Sequence, residues 1–567
     1  MTEQVLAGLA ASPGAAAGLA RVLDVAVDLA APPLPPAERA AAAERALAAL
    51  RAAAVEIDEL AAELEAQGND AEAEIVATGS LMAADPGLTA AVTSAVTGDG
   101  AAAAAAILIA AEAYAAQLAA IDDPNLQLRA DDVRSLGRRA ARLATGEPAG
   151  GGAPDSILVA TDLGPADVVE LGARVRAVAL AHGGTTAHAA IVARSLGVPM
   201  VVGIGDELLQ LTEAGTPIVV DGDAGTVTVA PGAEARRRAQ AAAAAQLRER
   251  ERSLAERSLP AETADGRRIR VLANVATASE VGVALPAGAE GIGLLRTELA
   301  FMNAADWPTE DDHRRALAPV LAPLPDMVAT VRLLDFGGDK TPPFLAGTAA
   351  RGIALLLSAP DALAAQAAAL AATAAHTRLR VLLPMVEDPA QIAAVREAFD
   401  ASSGADFGAM IETATAVERV DAIAAAADFL SIGTNDLTHS VLATDRFAPG
   451  ETAAHHPRVL AAIDAVVRAA HSRGLVVEVC GEAASNPVAM PLLLGLGVDE
   501  LSVGAARVGQ VRRWVRASEY DHARQAAERA LQLDSAADVA RLLAEAGDTP
   551  AECVEGGVGV VPVGRQA

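Results

Sequence analysis

Hydrophobic and polar positions change their spacing several times along the first third of the chain. Residues 1–30 alternate apolar and small residues around a tight-turn sequence, which predicts short strands. A proline cluster at 31–36 ends them. From Ala37 to about Thr145, long stretches of Ala, Leu, Glu and Arg have helical spacing, interrupted by GDG and DDPN. We therefore predict several helices packed as a bundle.

Apolar runs of strand length return after a glycine-rich linker at 145–154. Helical segments separate these runs, so the region predicts a small α/β domain. Residues 232–258 then contain no proline and, after Gly232, no glycine, which predicts one long connecting helix. The strand candidates of the small domain are 156–160, 175–181, 198–203 and 217–222.

Strand and helix patterns alternate regularly from about residue 261 onwards. Strands that alternate with helices in this way fit a (β/α)8 barrel, and an open doubly wound sheet is the alternative. The strand candidates are 269–275, 291–295, 330–336, 378–386, 408–412, 428–433, 474–481 and 500–504.

The composition restricts the classes of function. At 567 residues, several domains are expected. The formal net charge of −29 opposes nonspecific binding to nucleic acid or to an anionic membrane surface. No apolar run reaches the length of about 18 residues typical of a membrane span, and the N-terminus lacks the apolar run of a signal peptide. The two cysteines, Cys480 and Cys553, do not form a disulfide scaffold, so we expect a cytoplasmic protein.

One basic residue differs in type from all the others. Of the 44 basic residues, only Lys340 is a lysine. A chain that uses arginine wherever it needs positive charge is expected to keep a lysine where a compact ammonium is required. The alternative is the chance retention of a surface lysine.

The segment HGGTTAHAAIVARSLG at 182–197 predicts a glycine-rich turn that enters an amphipathic helix. Gly183 and Gly184 permit an unusual backbone path. His188 lies near the predicted helix start, where free N–H groups and the helix dipole favour an anion. A neutral imidazole at this place can accept a phosphoryl group, and a helix-capping histidine without chemistry is the alternative.

Charged and polar residues follow the strand candidates of the predicted barrel, where the active sites of such barrels form. Arginine forks bind phosphate and carboxylate groups, carboxylates such as Glu412 and Asp436 offer hard oxygen ligands to Mg²⁺, and Cys480 can move a proton. For each residue alone, the alternative is a surface charge, a strand-end salt bridge or, for Cys480, a small buried side chain. The full set is Arg296, Glu298, Arg332, Asp335, Lys340, Arg351, Glu412, Asn435, Asp436, Arg446, Cys480 and Glu482.

Motifs spread over nearly the whole chain resemble Enzyme I of the bacterial sugar phosphotransferase system. The segments SIGTNDLT and GGDK are specific, whereas GGxTxH is shared with related dikinases and synthases. The motifs, in chain order, are GLAASPGAAAG, DDPNLQLRADDVRSLGRRAARL at the end of the helical insert, GGTTAHAAIVARSLGVP, GIGLLRTELAFM, LLDFGGDK, FLSIGTNDLTHSVLATDR and VCGEAASNPVAMPLLLGLGVDELSV.

The resemblance implies a multidomain α/β architecture. A swivelling phosphohistidine α/β domain carries an inserted helical bundle that binds the partner protein, and a linker helix leads to a TIM-like (β/α)8 barrel that binds phosphoenolpyruvate and forms a homodimer. The expected boundaries are 1–32 and 146–230 for the phosphohistidine domain, 33–145 for the insert, 231–260 for the linker helix, 261–540 for the barrel and 541–567 for a tail.

The resemblance also implies roles for the candidate residues. His188 accepts the phosphoryl group of phosphoenolpyruvate and passes it to a histidine of the phosphocarrier protein HPr. Cys480 protonates the enolate to give pyruvate, and Glu412 and Asp436 bind Mg²⁺. The substrate-binding residues are Arg296, Arg332, Lys340, Arg351, Asn435 and Arg446.

Some positions depart from the family pattern. Val168 stands where the family commonly has a threonine that orients the active histidine, Ala187 replaces a serine, and Ala354 replaces a second arginine near Arg351. These departures leave open a catalytically weak regulatory protein that senses phosphoenolpyruvate. A synthase or dikinase relative is the other alternative, but it needs a nucleotide-binding domain for which we expect no room.

Overall fold

The computed structural model divides the chain into two compact units, residues 1–248 and 249–567. A helix crosses the division, and each unit is described below by itself. The residues described are 3–23, 27, 31–66, 70–121, 124–146, 156–172, 174–185, 187–302, 304–338, 340–399, 404–444 and 453–546.

A mixed sheet of eight strands forms one part of the first unit. Its strands are β1 (Gln4–Ala7), β2 (Leu9–Ser12), β3 (Ala15–Val22), β4 (Ser156–Ala160), β5 (Val175–Leu180), β6 (Met200–Val202), β7 (Pro217–Asp221) and β8 (Thr226–Val229). They lie in the order β1-β8-β7-β3-β4-β5-β6-β2. The pairs from β3 to β6 are parallel and the others are antiparallel. The α/β pattern predicted after the linker is confirmed.

Helices account for most of the remaining residues of the first unit. Five of them, α1 to α5, are joined in one run of chain and pack on each other through alanines and leucines. Close packing depends on small residues, since a Cβ on Gly137 would lie 2.5 Å from the Cβ of Ala111. The helices are α1 (Pro36–Ala66), α2 (Asp70–Ala83), α3 (Pro86–Thr97), α4 (Ala103–Ala119), α5 (Pro124–Thr145), α6 (Pro165–Gly172), α7 (His188–Leu196), α8 (Glu207–Leu211) and α9 (Ala233–Ala255).

Ion pairs connect α5 with α1 and with α6. Arg139, whose side chain is 4% exposed, lies 2.9 Å from Glu56 on α1 and 2.6 Å from Glu170 on α6. Arg138 pairs with Asp162, just before α6, at 2.7 Å. These contacts fasten the helical bundle to the elements that pack on the sheet.

The second unit is built around a closed barrel of eight parallel strands. The predicted (β/α)8 barrel is confirmed, and the alternative of an open sheet is wrong. The strands are β9 (Arg270–Val275), β10 (Gly291–Arg296), β11 (Val328–Arg332), β12 (Arg378–Leu383), β13 (Asp406–Ile411), β14 (Phe429–Ile432), β15 (Val476–Val479) and β16 (Glu500–Gly504).

Alternate side chains of these strands face the helices and the barrel interior. Val477 and Val479 of β15 join the large apolar core between strands and helices. The interior contains a small cluster of Leu294, Leu382, Met410, Phe429 and Cys480. The helices are α10 (Ala278–Ala284), α11 (Glu310–Leu321), α12 (Gly352–Leu357), α13 (Pro360–Thr373), α14 (Pro389–Ala398), α15 (Ala414–Glu418), α16 (Val420–Ala426), α17 (Thr434–Leu442), α18 (Pro457–His471), α19 (Ala489–Leu496), α20 (Val508–Ala517), α21 (Tyr520–Ala530) and α22 (Ala536–Ala546).

Within the described parts of the chain, no single helix has the length and apolar composition needed to cross a membrane. The pair Ile75–Ala83 and Pro86–Thr97 meets both criteria together, with a bend of 47° between them. Residues of this pair, including Val76, Leu88 and Val92, are buried within the helical bundle.

Candidate functional site

The carboxyl ends of the barrel strands bring the predicted charged residues together. Arg332 ends β11, Glu412 follows β13, and Cys480 follows β15. Asp335 and Lys340 lie in the irregular segment after β11. Because all strands are parallel, these ends meet at one face of the barrel.

Arg332 is the centre of this cluster, which we call the barrel-mouth cluster (Glu298, Arg332, Asp335, Lys340, Glu412 and Cys480). The Arg332 guanidinium is 6% exposed, forms a short ion pair with Glu298 and lies 3.0 Å from Asp335 Oδ2. The Lys340 Nζ atom lies 3.2 Å from both of the same carboxylates. The one lysine of the chain therefore lies beside the most buried arginine of the mouth.

The pKa values in the cluster reflect this pairing. Burial alone would lower the pKa of Arg332, but the carboxylates of Glu298 and Asp335 raise it, so the guanidinium stays charged. Burial would raise the pKa of Asp335, but Arg332 and Lys340 outweigh it and lower the pKa. The mouth thus holds fixed charges of both signs in a poorly solvated place.

Glu412 lies at the same mouth without a cation bound to it among the described contacts. Its side chain is 3% exposed, and its Oε1 accepts a 2.6 Å hydrogen bond from the Met385 amide. Burial is the main cause that raises the pKa of Glu412 to about 8. The carboxylates of Asp335 and Asp436 raise it further, and the charge of Arg332 opposes them. A buried carboxylate with acidic neighbours fits a divalent cation, which would supply the missing positive charge. No group of three or more His, Cys, Asp or Glu side chains gathers as a metal site in the described part of the chain.

Cys480 has the properties of a proton donor. It is 3% exposed, and the Ser431 hydroxyl lies 3.3 Å from its Sγ. Burial and then the carboxyl of Glu478 raise the pKa of the Cys480 thiol to about 12. The thiol therefore keeps its proton at neutral pH, although it lies next to the arginine of the mouth.

The remaining predicted barrel residues are placed differently. The amide oxygen of Asn435, at the start of α17, accepts a 3.0 Å hydrogen bond from Glu482 N, so the NH₂ end is the one left to donate to an anion. Arg351 packs on the GGDK turn, since a Cβ on Gly337 would lie 2.2 Å from the Cβ of Arg351. Its charge also lowers the pKa of Asp335.

Arg296 is exposed at the end of β10, beside Arg332 in the strand register. It lines a small cavity of about 10 Å³ together with Phe301 and His313. His313 is fully buried, and burial lowers its pKa to about 4. The predicted substrate arginine Arg446 and Cys553 lie outside the described residues.

His188 lies in the first unit, at the first position of α7. Its side chain is 14% exposed, and its Nδ1 lies 3.0 Å from Asp132 Oδ2. An ionised carboxylate can only accept, so this contact places the ring proton on Nδ1 and the unprotonated lone pair on Nε2. The buried Val168 has no group that can do this.

Sequence reasoning missed Asp132 as a partner of the histidine. It lies on α5, within a helical segment in which alternating charges normally mark a solvated face. The signal in the sequence was weak: two consecutive acidic residues, Asp131 and Asp132, in a helix whose other charged residues are arginines. Glu298 and Asp335 were recognised as strand-end charges, but their pairing with Arg332 was not predicted.

Comparison with known proteins decides the family. A phosphoenolpyruvate-protein phosphotransferase of Streptomyces coelicolor is 36% identical over 570 aligned residues, which cover 96% of this chain and 99% of that protein. The chain belongs to the phosphoenolpyruvate-protein phosphotransferase family. Another member, from Haloferax volcanii, is 38% identical over 73% of this chain and 77% of its own length.

Three models of the broader family of phosphoenolpyruvate-utilising enzymes match the chain in order. They describe an N-terminal domain at 7–129, a mobile domain at 152–225 and a phosphoenolpyruvate-binding domain at 250–520. The chain is also 37% identical to a multiphosphoryl transfer protein of Rhodobacter capsulatus, of which it spans about half, 53%. A solved structure described as Enzyme I (nEIt) is 27% identical over 43% of this chain and 99% of that chain, with a TM-score of 0.32.

Replacement of Asp132 by alanine tests its contact with His188. Without the carboxylate the imidazole loses its fixed tautomer and orientation, so we expect phosphorylation of His188 to slow about 10- to 100-fold. The rate is measured by rapid quenching with labelled phosphoenolpyruvate. The matched control is Asp131→Ala, which removes the same charge from the neighbouring position, where the carboxylate pairs with Arg134 at 2.9 Å. Equal rates in the two variants would contradict the positioning role of Asp132.

Proposed function

We propose that the protein transfers the phosphoryl group of phosphoenolpyruvate to His188 and then to a histidine of HPr, releasing pyruvate. This is the first step of the sugar phosphotransferase system. The observation that carries the proposal is the match along 96% of the chain and 99% of a relative named phosphoenolpyruvate-protein phosphotransferase. The barrel-mouth cluster supports it, because it combines the charges and the acid that the reaction needs.

Substrate binding is the first step of the proposed reaction. Phosphoenolpyruvate carries a phosphate and a carboxylate, and guanidinium groups bind both through paired hydrogen bonds. Arg332 and Lys340 would turn from Glu298 and Asp335 towards the substrate, while the amide of Asn435 donates to the phosphate. Arg296, Arg351 and Arg446 complete the proposed substrate set.

Glu412 and Asp436 are the residues that would hold Mg²⁺. The raised pKa of Glu412 supports this assignment, since a buried carboxylate with acidic neighbours lacks positive charge. When bound, Mg²⁺ supplies positive charge to the phosphate oxygens of the substrate. Two protein carboxylates suit this ion, which usually keeps several waters and substrate oxygens as its other ligands.

The chemical step follows from the protonation states of two side chains. The unprotonated Nε2 of His188 attacks the phosphorus, an N–P bond forms, and the bond from phosphorus to the enol oxygen breaks. The electron pair leaves with the enolate of pyruvate. The thiol of Cys480 gives its proton to the methylene carbon, which yields pyruvate and a thiolate that must be reprotonated.

The proposed partners are a protein acceptor and a second copy of the chain. We assign acceptor binding to the helical insert at 33–145, which packs beside His188 through Asp132 on α5. We assign dimerisation to the barrel at 261–540, and we place the reaction in the cytoplasm, where phosphoenolpyruvate is made. The residues 231–260 form the proposed linker. The proposed tail at 541–567 begins within α22, whose Leu542 and Leu543 belong to the core of the second unit.

Labelling of the purified chain tests the proposed function against its alternatives. With ³²P-labelled phosphoenolpyruvate and Mg²⁺, we expect acid-labile label that maps to the peptide containing His188 and moves to added HPr. Chelation of the metal by EDTA should abolish the uptake. Label from ATP in place of phosphoenolpyruvate would favour a dikinase, and binding of phosphoenolpyruvate without any label would favour a regulatory protein.

A further inference from the structure

A glutamate with no assigned role lies inside the barrel, two residues before Cys480. Glu478 is the third residue of β15, and its side chain is fully buried. In the strand register it lies between Ser431 on β14 and Glu500 on β16. All three side chains are fully buried, so the carboxyl of Glu478 has no access to solvent.

The arginines inside the barrel bind the other glutamate. Arg380 Nη1 lies 2.7 Å from Glu500 Oε2, and Arg270 forms a short ion pair with Glu500 Oε1. Neither carboxyl oxygen of Glu478 makes a well-aligned hydrogen bond in the described part of the chain. Burial and then the charge of Glu500 raise the pKa of Glu478 well above its usual range. The charges of Arg380 and Arg270 and the nearby Ser502 hydroxyl oppose this only in part.

Space for the Glu478 side chain is provided by a glycine on β10, three strands from β15 around the barrel. A Cβ on Gly293 of β10 would lie 2.6 Å from Glu478 Oε1 and 2.3 Å from Ser502 Oγ. The carboxyl and the Ser502 hydroxyl therefore share one small volume, in which they interact. No other residue type fits at Gly293 without displacing one of them.

Hydrogen bonds lead from this volume to the backbone of Cys480. The Nδ2 atom of Asn274 donates to the Cys480 carbonyl oxygen at 2.9 Å, which fixes the orientation of the amide. The Oδ1 atom of Asn274 then accepts the hydrogen of the Ser502 hydroxyl at 2.6 Å. Since a serine has only one hydroxyl hydrogen, Ser502 can only accept from Glu478, and this requires the protonated acid.

We propose that Glu478 is a neutral carboxylic acid that positions Cys480 through Ser502 and Asn274. Its O–H donates towards Ser502, Ser502 donates to Asn274, and Asn274 holds the carbonyl of Cys480, which keeps the thiol facing the substrate. This inference rests on the proposed function, because it assigns the support of the residue that protonates the enolate. Glu478 itself exchanges no proton with the substrate.

The groups that face Glu478 explain why this position carries a carboxylic acid and not an apolar side chain. Ser431 and Glu500 flank it in the strand register, and Ser502 shares the volume beside Gly293 with its carboxyl. Arg380 and Arg270 act on it only through their charges. An apolar side chain there would leave the accepting lone pairs of Ser502 buried without a donor. A charged carboxylate would face the charge of Glu500.

The test uses two replacements of similar size. Glu478→Gln keeps a hydrogen-bond donor, whereas Glu478→Met fills the space without one. A further variant, Ser502→Ala, removes the hydroxyl that connects Glu478 with Asn274. The reaction measured is the exchange of pyruvate methyl protons for solvent deuterium, followed by NMR with the full chain and Mg²⁺. We expect Glu478→Gln to stay within about twofold of the native rate, and Glu478→Met and Ser502→Ala to fall about tenfold or more at unchanged pyruvate KM.

The outcomes distinguish a positioning role of Glu478 from a purely structural role and from a role as a proton carrier. Melting curves are recorded on all variants, and a Glu478→Met variant that melts like Glu478→Gln but exchanges tenfold more slowly supports the proposal even if Ser502→Ala does not fold. The proposal is overturned if the Gln and Met variants both exchange at the native rate. It is also overturned if both lose exchange equally, a result that would make the acid a proton carrier. If the native chain neither exchanges pyruvate nor takes up label, the proposed function fails instead.

Discussion

Replacement of His188 by alanine is expected to abolish the uptake of acid-labile phosphate from phosphoenolpyruvate. The Nε2 atom of this ring is the only proposed acceptor, and alanine at the start of α7 keeps the helix intact. Autoradiography of the chain after incubation with labelled phosphoenolpyruvate and Mg²⁺ measures the effect. Transfer to HPr should disappear with it, because the phosphoryl group has no other route.

A second histidine in the same loop provides the matched control. His182 is exposed and pairs with Asp206 at 2.9 Å, so it lies in the same glycine-rich segment but has no contact with Asp132 in the described structure. His182→Ala should take up label at nearly the native rate. Full labelling of the His188 variant, or loss of labelling in the His182 variant, would show that the acceptor has been assigned to the wrong ring.

Replacement of Arg332 by methionine is expected to lower kcat/KM for phosphoenolpyruvate by roughly 10²- to 10³-fold. Among the described residues of the mouth, the guanidinium is the most buried positive charge, and the carboxyl of Glu412 and the thiol of Cys480 both raise its pKa. A preorganised donor that is removed from such a site costs about this much in rate. Single-turnover labelling of His188 over a range of substrate concentrations gives kcat/KM directly.

The control for this variant must separate catalysis from folding. Arg332→Met leaves the fully buried Glu298 with Lys340 as its one cationic partner among the described residues, and the loss of a partner from a buried charge destabilises the fold. The double variant Arg332→Met with Glu298→Gln removes that charge. If the double variant recovers the native melting temperature and also the native kcat/KM, Arg332 has only a structural role.

The fold could largely be predicted from the spacing of apolar residues, and the errors of that prediction have a local cause. The prediction placed a strand at 330–336, whereas β11 covers Val328–Arg332. Leu333 makes one further backbone hydrogen bond to Leu382, whereas Leu334 and Phe336 are buried in the core beyond the strand, and their burial extends the apolar run. The strand β8, Thr226–Val229, was not predicted, because it has only four residues, alternating threonine and valine, and directly follows a turn.

The grouping of the barrel residues was readable because they follow strands. Parallel strands bring their carboxyl ends together, so the grouping of Arg332, Lys340 and Glu412 followed from topology. The contact of Asp132 with His188 joins residues far apart in the chain, and no spacing rule reaches across that distance. A glutamate within the apolar strand VVEV was a visible signal for Glu478, yet its partners on β9 and β16 depend on how the barrel closes.

The ion pairs that join α5 to α1 and α6 make the parts of the first unit energetically dependent on one another. If the helical bundle separated from α6, the guanidinium of Arg139 would lose Glu170. It would keep Glu56 as a partner but stay largely shielded from water. Such half-opened states are costly, so melting of this unit should proceed as a single cooperative transition. The surface proposed for the acceptor protein and the helix that carries the reactive imidazole would then be lost at the same temperature.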